Sequence, residues 1–456
     1  MPVEGRILGE IDLGKETYMR PPEPQTVTDT KLKRIAWMSR QDAKKEFNNL
    51  MHLFNVDSLR QCFDELDGKK AVGVDGIDKE KYRENLEENL RDLITRMKRM
   101  GYRPGPVRQV LIPKAGKPNA TRPLGICNFE DKIVQKQMQK ILESIYDPLF
   151  LKCSYGFRAG MGCHDAIKDL QQYLFQHEVQ TVIDLDIANF FGAISQEEIV
   201  SILQEKIKDE RFIRYIVRMF KAGVLADGEL TVSGEGVVQG SPASPTIANI
   251  FAHYVMDMWV AEVVKSHCRG RVELFRYADD AVICCQYNED AVRVRSALSK
   301  RLAKYKLKLN EDKTTSVFFS RSGYKQGKAQ GAFNFLGFTF YWGQSRKGTA
   351  IPKVKTCGKT MRAKLKNVGE WGRKVRNKYR LSQIWEAFCS KLAGHIRYFG
   401  VSFNGKAVET FVYQAVKILF KWLNRRSQRK SFDWKQFNLF MEKHPLPAIK
   451  IYHSLL

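Results

Sequence analysis

The stretch RYADDAVI, residues 276–283, sets two adjacent carboxylates, Asp279 and Asp280, between two apolar runs. VELF (272–275) precedes the pair and AVICC (281–285) follows it. Both runs are short and rich in β-branched or aromatic residues. They predict two strands, with the acidic pair at the tight turn of a hairpin. Hairpin chemistry favours Asn-Gly or Asp-Gly at such a turn, not Asp-Asp. Like charges side by side repel unless a cation lies between or above them. Alone the pair also fits a solvated surface turn, so a cation-binding reading needs a partner carboxylate elsewhere in the chain.

VIDLDIANFF (182–191) supplies one. Strand alternation places Asp184 and Asp186 on one face and Ile183, Leu185 and Ile187 on the other. A carboxylate in an apolar strand is costly unless it pairs with a base or binds a metal. On this motif alone those two readings are about equal. Three carboxylates from two strands match a two-magnesium phosphoryl-transfer site, in which ions ~3.5–4 Å apart share a few acidic side chains. Magnesium keeps waters and substrate phosphates, so the protein supplies only one or two carboxylates per ion.

The 456-residue chain carries a formal net charge of +26, which points to a polyanionic partner. Nucleic acid is favoured over a membrane, because no uninterrupted apolar run reaches the ~18 residues of a spanning helix. The first residues, MPVEGRILGEIDLG, show no signal-peptide pattern. Nine cysteines without a C-x-x-C pair, and only eight histidines, argue against a zinc module and for a reducing, cytoplasmic setting.

The charge is unevenly placed. Residues 344–456 hold 25 Lys/Arg against 5 Asp/Glu, a net of +20, which leaves +6 for the first 343. PPEPQTVTDT (21–30) reads as a linker within a poorly structured first 45 residues, followed by a helix through 31–54. Further helices are expected over 79–100, 131–147, 164–176, from Ser195, and over 243–265 and 288–306. Strands are expected at 107–113, 181–187 and 333–342. Helices and strands without regular βαβ alternation predict an α+β architecture.

An ordered series of motifs resembles the reverse transcriptases of bacterial group II introns: GVDGI (73–77), IPKAGKPNATRPLGI (112–126), SYGFRAG (154–160), DIANFF (186–191), QGSPASPTIAN (239–249), YADD (277–280), LNEDK (309–313) and FLGF (335–338). The resemblance implies a right-hand polymerase fold with fingers, palm and a basic, α-helical thumb. It divides the chain into an extension (1–45), fingers and palm (46–343), thumb (344–430) and a short tail (431–456).

The resemblance further implies two Mg2+ ions held by Asp186, Asp279 and Asp280, with the Ile187 carbonyl as an additional oxygen and Asp184 as the alternative in the first strand. It implies that Lys114 and Arg122 clamp the triphosphate of a dNTP, and that Phe191 excludes a 2′-hydroxyl; the other role for such a ring is core packing, which Phe190 could fill instead. Gln239 and Gly240 would floor the nucleotide pocket. Lys313, or the nearby Lys308, would help protonate pyrophosphate. Lys364, Lys366, Arg373 and Arg376 would grip an RNA template with its DNA or RNA primer. A structured intron or non-coding RNA is a further partner of the same surface.

The implied activity is RNA-directed DNA synthesis. The alternatives are an RNA-binding maturase that assists splicing, or a domesticated relative in antiviral defence or DNA repair. The chain departs from the family at Gly192, where an Asp usually follows the aromatic pair, and in its first 45 residues. About 22 residues follow WLNRRSQRKSFDW (422–434), so a full DNA-binding domain is expected to be absent or truncated.

Overall fold

The computed structural model describes residues 27–113, 121–226, 228–426 and 432–455. The described strands are β1 (Val107–Pro113), β2 (Thr121–Ile126), β3 (Thr181–Asp186), β4 (Val224–Ala226), β5 (Glu229–Thr231), β6 (Val272–Tyr277), β7 (Asp280–Cys285), β8 (Thr315–Phe318), β9 (Phe333–Phe335), β10 (Phe338–Gln344) and β11 (Ala350–Thr356). They form three sheets, in the orders β2-β1-β4-β5, β6-β7-β3-β8 and β11-β10-β9. Helices surround the sheets without regular alternation, so the fold is α+β.

The β6-β7-β3-β8 sheet separates two cores because its strands alternate. Ala281, Ile283 and Cys285 of β7 enter the first core with Ile183 and Leu185 of β3. Val282 and Cys284 enter the second with Val182. The first core is filled by helices Val27–Gln41, Phe129–Tyr146 and Asn288–Lys304 and by the long helical run from Ser244. The second is filled by helix Cys163–Gln176, the β9–β11 sheet, and helices Gly358–Val375, Leu381–Phe399 and Gly405–Leu423.

Several expectations need correction. Helix Val27–Gln41 takes in part of the presumed linker, and Ser39 Oγ donates to the Ile145 carbonyl at 2.5 Å, tying it to helix Phe129–Tyr146. The helix expected through 31–54 stops at Gln41, and Phe47 then bridges Ile207 in a short parallel contact. The 79–100 stretch is two helices, Lys79–Arg83 and Leu86–Lys98, broken at Asn85, whose ψ of 40° leaves the helical region. The strand expected over 333–342 is a hairpin, because Leu336 and Gly337 both adopt positive φ.

The helical run Ser244–His267 is long and apolar enough to cross a membrane by length and composition, and 67% of its most apolar window is buried inside the protein. It opens with Pro245 in its first turn, where the missing N–H costs nothing. It widens to π-helix over His253–Asp257 and Val260–Val264.

Candidate active site

β3 and β7 run antiparallel in a register that sets Asp186 opposite Asp280 and Asp184 opposite Val282. Cross-strand partners share a face, as do residues two apart on one strand. Asp184, Asp186 and Asp280 therefore stand together on the face of the sheet turned toward the second core. The expectation that both acidic residues of YADD occupy the turn is corrected. The ladder pairs Tyr277 with Asp280, so the turn is Ala278-Asp279, and Asp280 already belongs to β7.

Ala278 has φ of 57°, an uncommon conformation for a residue with a side chain. Its surroundings hold it there. Arg276 Nη1 donates to the Ala278 carbonyl at 3.1 Å. Gly156 of SYGFRAG lies against the turn so closely that a Cβ would sit 2.4 Å from the Ala278 nitrogen. Arg276 is fully buried and forks onto Asp257, with Nη1 also donating to Asn249 Oδ1 at 2.9 Å and Nη2 to Ser154 Oγ at 2.7 Å. Asn249 in turn donates to the Gly156 carbonyl at 2.5 Å. Sequence reasoning missed this set. The signal was present: an Arg inside an apolar strand and an Asp inside an apolar helix each need a partner.

Burial raises the Asp184 carboxyl to about 7, and the carboxylates of Asp280 and Asp186 add to the push. Burial also raises Asp280, with Asp279 and Asp186 contributing. Asp186 is half-buried and faces Lys313, whose Nζ lies 2.9 and 2.8 Å from its two carboxylate oxygens. The LNEDK turn brings that lysine in, because the Asn310 N–H donates to the Asp186 carbonyl at 2.8 Å. Of the two lysines considered, Lys313 reaches the carboxylates, while Lys308 accepts through its backbone carbonyl from the Ala188 N–H. Ile187 forms a bridge with Leu309.

Among the described residues, no three His, Cys, Asp or Glu side chains already converge as a metal cage. The donor chemistry still fits a hard divalent cation. Oxygen ligands are crowded on one face, and two of the carboxyls there are pushed up partly by their like-charged neighbours, a repulsion that a cation relieves.

The other candidates fall around this face. Phe190 is buried in the first core, while Phe191 is only half-buried, their rings 5.7 Å apart and nearly perpendicular. A Cβ on Gly192 would lie 2.4 Å from the end of the exposed Asn189 side chain, which can swing aside. Arg122 stands on β2, opposite Ile112. The Gln239 carbonyl accepts from the Gly125 N–H at 2.6 Å, and a Cβ on Gly240, at φ 109°, would lie 2.4 Å from the Gly125 oxygen. The Gln239–Gly240 loop thus docks, backbone to backbone, on the strand that carries Arg122. Lys114 lies outside the described residues.

Lys364, Lys366 and Arg373 lie on helix Gly358–Val375, and Arg376 follows its end. Lys366 and Arg373 are exposed. Lys364 lies over the Phe399 ring and Arg376 over the Trp422 ring, at 5.2 and 5.1 Å.

The model for reverse transcriptase (RNA-dependent DNA polymerase) matches residues 112–340. The chain is similar to the group II intron-encoded protein LtrA of Lactococcus lactis subsp. cremoris, at 31% identity over 233 residues, which covers 51% of this chain and 38% of that protein. It is similar to the protein YkfC of Escherichia coli (strain K12), at 30% identity over 326 residues, 63% of this chain and 82% of that one. An uncharacterized 91 kDa protein in the cob intron of Schizosaccharomyces pombe is 35% identical over 190 residues, 42% of this chain and 21% of that protein. The matched region encloses both carboxylate strands and the turn between β6 and β7. The chain belongs to the reverse transcriptase (RNA-dependent DNA polymerase) family and is of the group II intron type.

Proposed function

We propose that the protein copies RNA into DNA by adding dNTPs to a DNA or RNA primer. The observation that carries this reading is the facing pair Asp186 and Asp280, with Asp279 in the adjoining two-residue turn. Asp186, Asp279 and Asp280 would hold two Mg2+ ions, with the Ile187 carbonyl beside them. When bound, the ions would supply charge stabilisation for phosphoryl transfer.

The chain's own residues do the rest by placement, which makes up nearly the whole of catalysis in this reaction class. Arg122, with Lys114, would fork onto the triphosphate. Gln239 and Gly240 floor the pocket through their contact with β2. Phe191, freer than Phe190, would test the sugar for its 2′-hydroxyl. Lys313, already at Asp186, is placed to donate a proton to the departing pyrophosphate. Residues 46–343 would be fingers and palm and 344–430 the thumb; the +20 net charge of residues 344–456 and their aromatic-backed bases suit the phosphates of an A-form duplex.

Replacing Asp279 and Asp280 together by Ala tests the proposal. Primer extension on an RNA template is expected to vanish while RNA binding persists. A double variant that still extends primers would show the acidic turn to be structural. A second reading, an RNA-binding maturase, is favoured by the same basic segment and by the similarity to LtrA. It predicts that splicing of a structured intron RNA survives the double substitution.

A further inference from the structure

We propose that Tyr398 is a positioning residue, which ties the basic helical segment to Asp280 through the Leu336–Gly337 turn. The inference rests on the polymerase reading above.

The turn joining β9 to β10 has two residues, Leu336 at φ 50° and Gly337 at φ 79°. Turns of this kind favour Asn-Gly, and a leucine in the left-handed region crowds its own Cβ against the backbone. Such strain persists only where the surroundings impose it. Here they do so from three sides. The Leu336 N–H donates to Asp280 Oδ2 at 3.4 Å. The Leu336 carbonyl accepts from Tyr398 Oη at 2.9 Å. The Gly337 carbonyl accepts from the N–H of Cys357, just ahead of helix Gly358–Val375, at 2.9 Å. Two residues before Leu336, on β9, the Asn334 backbone lowers the Asp184 carboxyl by hydrogen bonding to it, against the larger effect of burial. The hairpin therefore spans the gap between the acidic face and two helices of the basic segment.

Tyr398 is itself held. Its ring stacks on Phe338 with centroids 5.8 Å apart, and its own carbonyl accepts from His164 Nε2 at 2.7 Å. Leu336 is fully buried, so the turn cannot swing out to solvent and absorb a movement. A shift of helix Leu381–Phe399 along a bound duplex would then be passed through two hydrogen bonds to Asp280, and so to its cross-strand partner Asp186. The position from which Asp280 would hold a cation would then depend on how the nucleic acid is gripped.

Tyr398→Phe removes only the hydroxyl and keeps the ring stack. Loss of one hydrogen bond of this sort is expected to slow single-nucleotide addition about three- to tenfold. The KM for dNTP and the Kd for primer–template should stay within about twofold, and amide exchange across 333–340 should accelerate. Leu336→Gly, which lets the turn relax, should cause a similar loss, and adding Tyr398→Phe to it should cost little more, because both act through one link. Additive losses, or unchanged rate and exchange in Tyr398→Phe, would overturn the inference. So would a fall in thermal stability with an unchanged rate per folded molecule, which marks a merely structural hydroxyl. Primer extension by the unmodified protein is the separate control: its absence would remove the polymerase reading itself.

Discussion

Arg276 Nε and Nη2 donate to the two carboxylate oxygens of Asp257 at 2.7 and 2.6 Å, and neither side chain is exposed to solvent. The pair joins β6 to the π-helical turn His253–Asp257 and, through Asn249 and Ser154, fixes the backbone on both sides of the Ala278–Asp279 turn. His253 lies beside it, and burial pushes its imidazole down to about 4, so at neutral pH it adds no second positive charge. Removing one partner of such a pair leaves a charge buried without compensation, at a cost of about 3–5 kcal/mol. Asp257→Asn is expected to lower thermal stability by several degrees and to cut primer extension more steeply than any thumb substitution. Calorimetric unfolding beside an extension assay checks both, and a variant as stable as the parent would show that the fork is dispensable.

Asp184 makes stability fall with rising pH. Its folded-state carboxyl is raised from 3.8 to about 7, so the folded chain binds the proton more tightly than the unfolded chain. This contribution is fully present below pH ~4 and is lost as pH rises through ~7. A shift of that size is worth at most about 4 kcal/mol. Asp184→Asn should raise the Tm at pH 8 and change it little at pH 4. An equal Tm change at both pH values would contradict the assignment.

Lys313 and a divalent cation would compete for Asp186. Both side chains of this ion pair are substantially exposed, at 47% and 36%, so the pair itself is weak, about 0–1 kcal/mol. Lys313→Met should therefore tighten Mg2+ binding by no more than about fivefold, while slowing nucleotide addition. Titration calorimetry on the protein without nucleic acid measures the first effect. Weaker Mg2+ binding in the variant would mean that the lysine supports the cation rather than displaces it.

Phe191→Ala should relax discrimination against ribonucleotides, whereas Phe190→Ala, which empties a core position, should instead cost about 3–5 kcal/mol of stability. Comparing ribo- and deoxynucleotide incorporation on one RNA template separates the two residues. An unchanged ratio for Phe191→Ala would rule it out as the sugar gate.

Lys366 and Arg373 are exposed on helix Gly358–Val375, so Lys366→Glu with Arg373→Glu tests the basic surface without disturbing Lys364 or Arg376, which lie on aromatic rings. Each lost phosphate contact should flatten the slope of log K against log salt by roughly 0.7–0.9. Equivalent reversals on helix Leu86–Lys98 should do less. The opposite order would place the nucleic acid elsewhere.

The sequence by itself determined the chemistry-bearing strands, because alternation is a local property. Asp184 and Asp186 had to share a face, and the apolar runs around Asp279 and Asp280 had to form a hairpin. The charge gradient toward the C-terminus was equally plain, since composition needs no coordinates. Tertiary structure alone decided the rest. The register that sets Asp186 opposite Asp280 depends on which strands pair, and β3 and β7 lie about a hundred residues apart in the chain. Arg276 looked like one base among 76 until burial forced it onto Asp257. Leu336 looked like a strand residue because local propensity favours extension there, and it turns only because Asp280, Tyr398 and Cys357 hold the turn from three directions. Contacts between segments far apart in the chain outweigh local preference at these positions, and no pattern within one short window encodes them.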